Sequence, residues 1–228
     1  MKRYILAAVA VVTLFPVGGA QALLVNGDFE TGDLTGWTLF TTPNGNLASS
    51  GVPGSPGVVS FDTDGDSTAT SSAVFSVGRA SGISPEEGGG IFQSFNVAAP
   101  GLYSVSIDLA VTFNDAPGGS NANSGTFSLQ IDGAEVDSSP AMSIVSGAEI
   151  RDVMTAVVPL TAGLHEFRVL ITRPFVSNTI DLAQYLDNAS VSAVAEVPLP
   201  PSMLLLAAGL GGFGVAARRR RGRARAQR

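Results

Sequence analysis

The chain has no cysteine, one histidine and one tryptophan in 228 residues. Without cysteine there is no disulfide and no thiol nucleophile, whatever the redox state of the compartment. The lone histidine, His165, follows Ala162-Gly163-Leu164 at the start of an apolar stretch. A structural role at an exposed position suits it better than that of a catalytic base. Adjacent carboxylates such as Glu86-Glu87 do not face one substrate atom, so the pattern predicts no enzyme. Aromatic side chains that could stack on a sugar are scarce too. Trp37 follows Gly36 and is expected in the core, Tyr103 and Tyr185 fall in predicted strands that should pack, and most of the 12 phenylalanines occupy inward positions. Any sugar site would then be left to the loops.

Positive charge is scarce outside the two ends. Of 13 Lys and Arg, two precede Tyr4 and seven follow Ala217, leaving Arg79, Arg151, Arg168 and Arg173 against 19 acidic residues, a balance of −15. Such a charge opposes nucleic acid and anionic lipid, so neither is expected as a partner. It suits solubility and divalent cations.

The ends themselves read as addresses. Lys2-Arg3, an apolar run from Ile5 to Val17 and the small residues of Ala20-Gln21-Ala22 form a secretory leader, with cleavage expected after Ala22. At the other end Val197-Pro198-Leu199-Pro200-Pro201-Ser202 precedes an apolar, glycine-rich stretch, Met203 to Ala217, and then Arg218-Arg219-Arg220-Arg221 with three more arginines. As a helix that stretch spans roughly 22 Å against a hydrocarbon core of about 30 Å, a short transmembrane span that snorkelling arginines can help to complete. The arginines place that end on the cytoplasmic side and the body outside the membrane.

This tail resembles the PEP-CTERM sorting signal of Gram-negative bacteria, with Val197-Pro198-Leu199-Pro200 where that family usually has V-P-E-P. The resemblance implies recognition and removal by an exosortase-type membrane protease after signal peptidase has acted, with the inner membrane as a transient station and the cell surface or extracellular matrix as destination. A permanent single-pass anchor is a competing reading, and a buried amphipathic helix with a nucleic-acid-binding tail is disfavoured because the apolar run has no polar face. A Gram-positive sortase signal at Leu199-Pro200-Pro201-Ser202 ranks second to the PEP-CTERM resemblance because it lacks both the Thr and the Gly. The organisation expected is therefore a signal peptide (1–22), one domain (23–194), a linker with the sorting motif (195–202), a transmembrane helix (203–217) and a basic tail (218–228).

The body is punctuated by Gly, Ser, Thr and Asn every eight to twelve residues, as all-β domains are. Tyr103 to Phe113 alternates apolar and small polar residues without a break, and Phe127, Leu129 and Ile131 repeat the pattern before an Asp132-Gly133 hairpin turn into Ala134–Asp137. Further strands are expected at Trp37–Thr41, Val58–Phe61, Ala73–Val77, Ile91–Val97, Met154–Leu160, Leu164–Thr172 and Asp187–Val194, and Pro117 to Ser124 reads as a surface loop. The fold class expected is an antiparallel β-sandwich.

The two edges of the body sharpen this. Leu24-Val25-Asn26-Gly27-Asp28-Phe29-Glu30 with Gly36-Trp37, and Tyr185-Leu186-Asp187-Asn188-Ala189-Ser190-Val191, resemble the first and last segments of galactose-binding-like jelly rolls, the fold of carbohydrate-binding modules related to families 4, 9 and 22. The resemblance implies a structural calcium ion between those segments, held by Glu30 and Asp187. Asp28 joins them if the segment is extended, because residues two apart then project to the same side while Phe29 points inward. Asn188 stands where the family has a second carboxylate. Asp62-Thr63-Asp64-Gly65-Asp66 also looks cationic but departs from an EF-hand, with Ser67 at the sixth position and Ala73 at the twelfth, so a solvated turn is expected. The function expected is that of a non-enzymatic exported surface or matrix protein, with polysaccharide binding as the alternative.

Overall fold

The computed structural model describes residues 23–82, 84–114, 120–121, 123–176 and 181–194. The leader, the sorting motif at Val197 to Pro200, the transmembrane stretch and Arg218 to Arg221 lie outside these residues. No helix among the described residues is long and apolar enough to cross a membrane.

Among the described residues fourteen strands run in chain order: β1 Thr38–Thr41, β2 Gly45–Asn46, β3 Gly57–Phe61, β4 Thr70–Phe75, β5 Gly78–Arg79, β6 Glu87–Val97, β7 Gly101–Asn114, β8 Ser120–Asn121, β9 Thr126–Ile131, β10 Ala134–Ser139, β11 Ile144–Val145, β12 Glu149–Leu160, β13 Gly163–Arg173 and β14 Asp181–Ala193. Ten of them build two five-stranded sheets, ordered β1-β6-β13-β9-β10 and β12-β7-β14-β4-β3, and the other four form two small pairs. The chain crosses repeatedly between the two sheets, giving a jelly-roll sandwich in which every paired strand is antiparallel.

The alternation along β7 works as read for its first half. Tyr103, Val105, Ile107 and Leu109 are buried and face Ile91, Leu129, Phe167 and Val169 of the other sheet across one core. Burying each such side chain contributes about 1.5–3 kcal/mol. From Leu109 to Phe113 the alternation gives way, and Ala110 and Thr112 are buried as well. Val52 and its loop cover that end of the outer face, where a second small cluster joins Val52, Val74 and Ala183. The Asp132-Gly133 turn forms as expected, with φ of 53° and 78°, the left-handed pair that a two-residue hairpin requires. The segment read as a loop from Pro117 to Ser124 contains β8, paired with β11.

Residues 23–37 do not form an extended strand. Asn26 and Phe29 have φ of 51° and 52°, and the segment turns on itself, with the Asn26 side chain bonding the carbonyls of Asp33 and Thr35. It is nonetheless stitched to the last strand, Leu23 N–H to Val191 O at 3.1 Å and Ala189 N–H to Gly27 O at 2.8 Å. A Cβ at Gly27 would run into the Ala189 carbonyl, which is why glycine stands there. Gln93 extends the stitching to β6 by bonding both the N–H and the carbonyl of Val25. Phe29 stacks on Trp37, which meets Phe167 edge-on and donates its indole N–H to Asn26 O. The core is closed by residues between Leu24 and Val191, so residues 23–194 carry a complete hydrophobic interior.

Candidate functional site

On β6 the inward positions are Ile91, Gln93, Phe95 and Val97, which puts Phe92 on the outer face of the first sheet. The pairing registers align Thr38, Phe92, Arg168, Gln130 and Glu135 as one row running across all five strands. Four strand spacings make this row roughly 19 Å long. Phe40, two residues from Thr38, lies beside it, and the Arg168 guanidinium rests over both rings, 4.4 Å from Phe40 and 5.2 Å from Phe92. Cation–π contact and a charge-assisted bond from Arg168 Nε to Glu166 Oε1 at 2.8 Å hold it there. Its two terminal nitrogens make no hydrogen bond among the described residues.

The polar half of the row is also pre-set. Glu135 accepts the Ser128 hydroxyl at 2.6 Å, and Gln130 Nε2 donates to the same hydroxyl at 3.1 Å. Half-buried aromatic rings at one end and fixed donors and acceptors at the other lie side by side on a rigid sheet. Sugar hydroxyls, each both donor and acceptor, and the apolar faces of pyranose rings complement that arrangement. Phe29, Phe75, Phe95, Phe113, Phe127 and Phe167 point inward as expected of most phenylalanines, and Phe40, Phe92 and Phe61 are the exceptions that matter here, all half-exposed on outer faces. Strand phase carries the signal for Phe92, because Ile91 and Phe95 flank it at odd spacing.

The second sheet has its own aromatic pair. Tyr103 is buried, but Tyr185 faces outward and stacks on Phe61, centroids 3.8 Å apart and rings 7° from parallel. It lines a groove of about 190 Å³ with Val52, Val59 and Val74. The Asp62–Asp66 loop is more than a solvated turn. Asp62 accepts the N–H groups of Gly65 and Ser67, Thr63 is buried against the Ser72 hydroxyl, and Arg151 bonds the Asp62 carbonyl from across the sheet.

The three residues read as metal ligands are not gathered into one cluster. Glu30 Oε1 accepts the Ser71 N–H at 2.9 Å, and Asp187 Oδ2 accepts the hydroxyls of Thr70 at 2.8 Å and Ser72 at 3.3 Å, so both reach the same three residues of β4. Asp28 is exposed and accepts only the Glu30 N–H, at 3.4 Å. Asp187 is 1% exposed. Burial pushes its carboxyl up, against the hydrogen bonds from Thr70, the Asn188 N–H and Ser72, and the facing Asp108 pushes it further. Asp108 is raised in turn, by burial first and by the charge of Asp64 last, with the Asn188 amide opposing. Among the described residues, the three carboxylates lying within 4.8 Å of one another are those of Asp62, Asp64 and Asp66.

His165 has both ring nitrogens engaged, Nδ1 with Asp132 Oδ2 at 2.7 Å and Nε2 with Thr161 O at 3.0 Å. Its side chain is 9% exposed, deeper than its position in the chain implies.

No family model and no curated protein sequence matches this chain. Among solved structures it is similar to the CBM22-1–GH10 modules of Clostridium thermocellum endo-1,4-β-D-xylanase 10B, complexed with xylohexaose, at 14% identity and a TM-score of 0.40 over 75% of this chain and 28% of that one. It is similar to TmCBM61 in complex with β-1,4-galactotriose at 11% identity and a TM-score of 0.36, over 77% of this chain and 99% of that one. The tandem CBM22-1–CBM22-2 domain of Paenibacillus barcinonensis Xyn10C gives 17% and 0.41, over 82% and 53%. The chain thus spans 28% of the length of the xylanase structure and 21% of that of a bacteriophage CBA120 tailspike it also matches.

Proposed function

We propose that this chain is a non-enzymatic exported protein whose sandwich binds polysaccharide on the outer face of the first sheet. The row Thr38–Phe92–Arg168–Gln130–Glu135 carries the reading, because it sets rings and fixed polar groups in line on a rigid surface. Its carboxylates support binding rather than catalysis: Glu166 is committed to Arg168 and Glu135 to Ser128. Export and tail-directed sorting to the surface or matrix belong to the same proposal, supported by the leader and by Val197-Pro198-Leu199-Pro200 with its arginine stop. So does a structural calcium ion at Glu30 and Asp187, with Asp28 at its margin. The ligand atoms on offer there are all oxygen, which suits a hard cation, and the Thr70 and Ser72 hydroxyls can rotate to offer lone pairs, while the Ser71 and Asn188 N–H groups each hold one carboxylate oxygen in place.

Immobilised neutral and acidic polysaccharides should retain the 23–194 domain, and Phe92→Ala or Arg168→Ala should weaken retention about tenfold or more, as anchor residues do, in variants that still melt cooperatively well above the assay temperature. Equal retention of wild type and both variants would remove the face from the proposal. No retention on any polysaccharide would leave the purely structural matrix reading.

A further inference from the structure

The single histidine is wired to the arginine of this face by an unbroken chain of contacts. His165 Nδ1 meets Asp132 Oδ2 at 2.7 Å, Asp132 Oδ1 accepts the Glu166 N–H at 2.9 Å, and Glu166 Oε1 accepts Arg168 Nε at 2.8 Å. Asp132 belongs to the β9–β10 turn, whereas His165, Glu166 and Arg168 lie on β13. The latch therefore pins a hairpin tip to the strand that carries the guanidinium. The pairing of β13 with β9 ends at Phe167–Ile131, so beyond that point the junction rests on the Asp132 carboxylate and the Asp132 N–H to Glu166 O bond.

We propose that His165 and Asp132 are positioning residues for Arg168, and that the state of this latch makes ligand binding on the face depend on pH. The inference rests on the glycan-face reading above and supplies its regulation. The hydrogen bond to Asp132 is the largest influence raising the His165 pKa, followed by the bond to the Thr161 carbonyl, while burial opposes them. The folded value thus lies above the ordinary 6.5, and the charged latch is complete below 6.5 and lost as pH rises through the folded value. Burial pushes Asp132 up, but the bonds from His165 and the Glu166 N–H and the His165 charge bring it below the ordinary 3.8, so it stays ionised throughout that range. The other neighbours of the ring are Phe95 on β6, tilted at 5.8 Å, and the Thr161 carbonyl. Glu166 and Arg168, paired with each other, project from the opposite side of β13, so Asp132 is the charged group in contact with the ring.

The test needs no ligand for its first arm. In ¹⁵N-labelled 23–194 domain, the Arg168 Nε–Hε chemical shift and the protection factor of the Glu166 amide, its intrinsic exchange rate divided by the observed rate at each pH, should follow the His165 ring titration between pH 5 and 9. In His165→Gln, whose amide can still bond Asp132, both should lose that pH dependence. Asp132→Asn serves if His165→Gln fails to fold. In the second arm, retention on whichever polysaccharide binds at pH 6 should fall about threefold by pH 8.5 in wild type and stay flat in the variant, a change of the size that an exposed ion pair can supply. Resonances that ignore the His165 titration would overturn the latch. Resonances that follow it while no polysaccharide binds at any pH would leave the latch standing and overturn the glycan reading instead.

Discussion

At the scale of single residues, the opening motif shows how much a few letters can carry. Asn26 takes the left-handed backbone, Gly27 admits the Ala189 carbonyl, Phe29 is buried against Trp37, and Glu30 turns out to meet the β4 backbone. The inward packing of Phe29 and Trp37 was readable from the motif, whereas the left-handed turn at Asn26 and the backbone contact of Glu30, read as a metal ligand, emerge only in the folded chain. The row on the sheet face was not readable in the same way, since Arg168, Gln130 and Glu135 become neighbours only through strand pairing. Arg173 is a harder case still. It is 2% exposed, and burial pulls its pKa down to about 10 with only the charge of Glu86 opposing. Its Nε bonds the Asn123 carbonyl at 2.9 Å, one terminal nitrogen reaches the Val77 carbonyl at 3.3 Å, and the guanidinium faces Phe175. A lysine ammonium cannot reproduce that planar set of bonds. Arg173→Lys should therefore destabilise the domain by about 1–3 kcal/mol in denaturant unfolding, and an unchanged midpoint would show that the carbonyls find other partners.

At the scale of elements, strands with strict alternation were legible and those built by pairing were not. The apolar residues of β9 and the first half of β7 follow period two, whereas β10 breaks it with a bulge between Glu135 and Asp137, and the glycine run Gly88-Gly89-Gly90 carries no periodic signal and yet extends β6 back to Glu87. A Cβ at Gly90 would strike the Val169 carbonyl, so this part of β6 is defined by its neighbours rather than its own pattern. The far edge of the second sheet raises a different issue. β12 is a twelve-residue edge strand with Val153 and Val157 more than half exposed, the kind of edge that recruits other chains. Here Asp137 Oδ2 takes the Thr155 N–H at 2.7 Å, Asp152 Oδ1 takes the Val153 N–H at 2.9 Å, and Pro159 has no N–H to offer. Asp137→Ala combined with Asp152→Ala should leave the fold intact but raise aggregation, seen as light scattering on mild heating. Scattering equal to wild type would mean that these carboxylates do not guard the edge.

At the scale of the whole molecule, the two end segments and β4 come together at Glu30, Asp187 and residues Thr70 to Ser72. An ion bound there only in the folded state would stabilise by about 2.7 kcal/mol at a hundredfold excess over its Kd. Chelator should then lower the melting temperature of the 23–194 domain, and Asp187→Ala should abolish the difference between calcium and chelator. If Asp64→Ala removes that difference and Asp187→Ala does not, the ion sits in the Asp62–Asp66 loop. A wild type indifferent to millimolar calcium would end the metal proposal.

The stitching of Leu23 to Val191 has one more consequence. The chain enters and leaves the sandwich at neighbouring points, so the domain is a cassette, hung from a single corner like a pendant. It can be spliced into a surface loop of an unrelated host across a gap of a few residues, without prising the host apart. Tension applied between its two ends meets the Leu23–Val191 and Gly27–Ala189 bonds one after another, as a zipper does, so the stitching peels open at low force before the core is loaded.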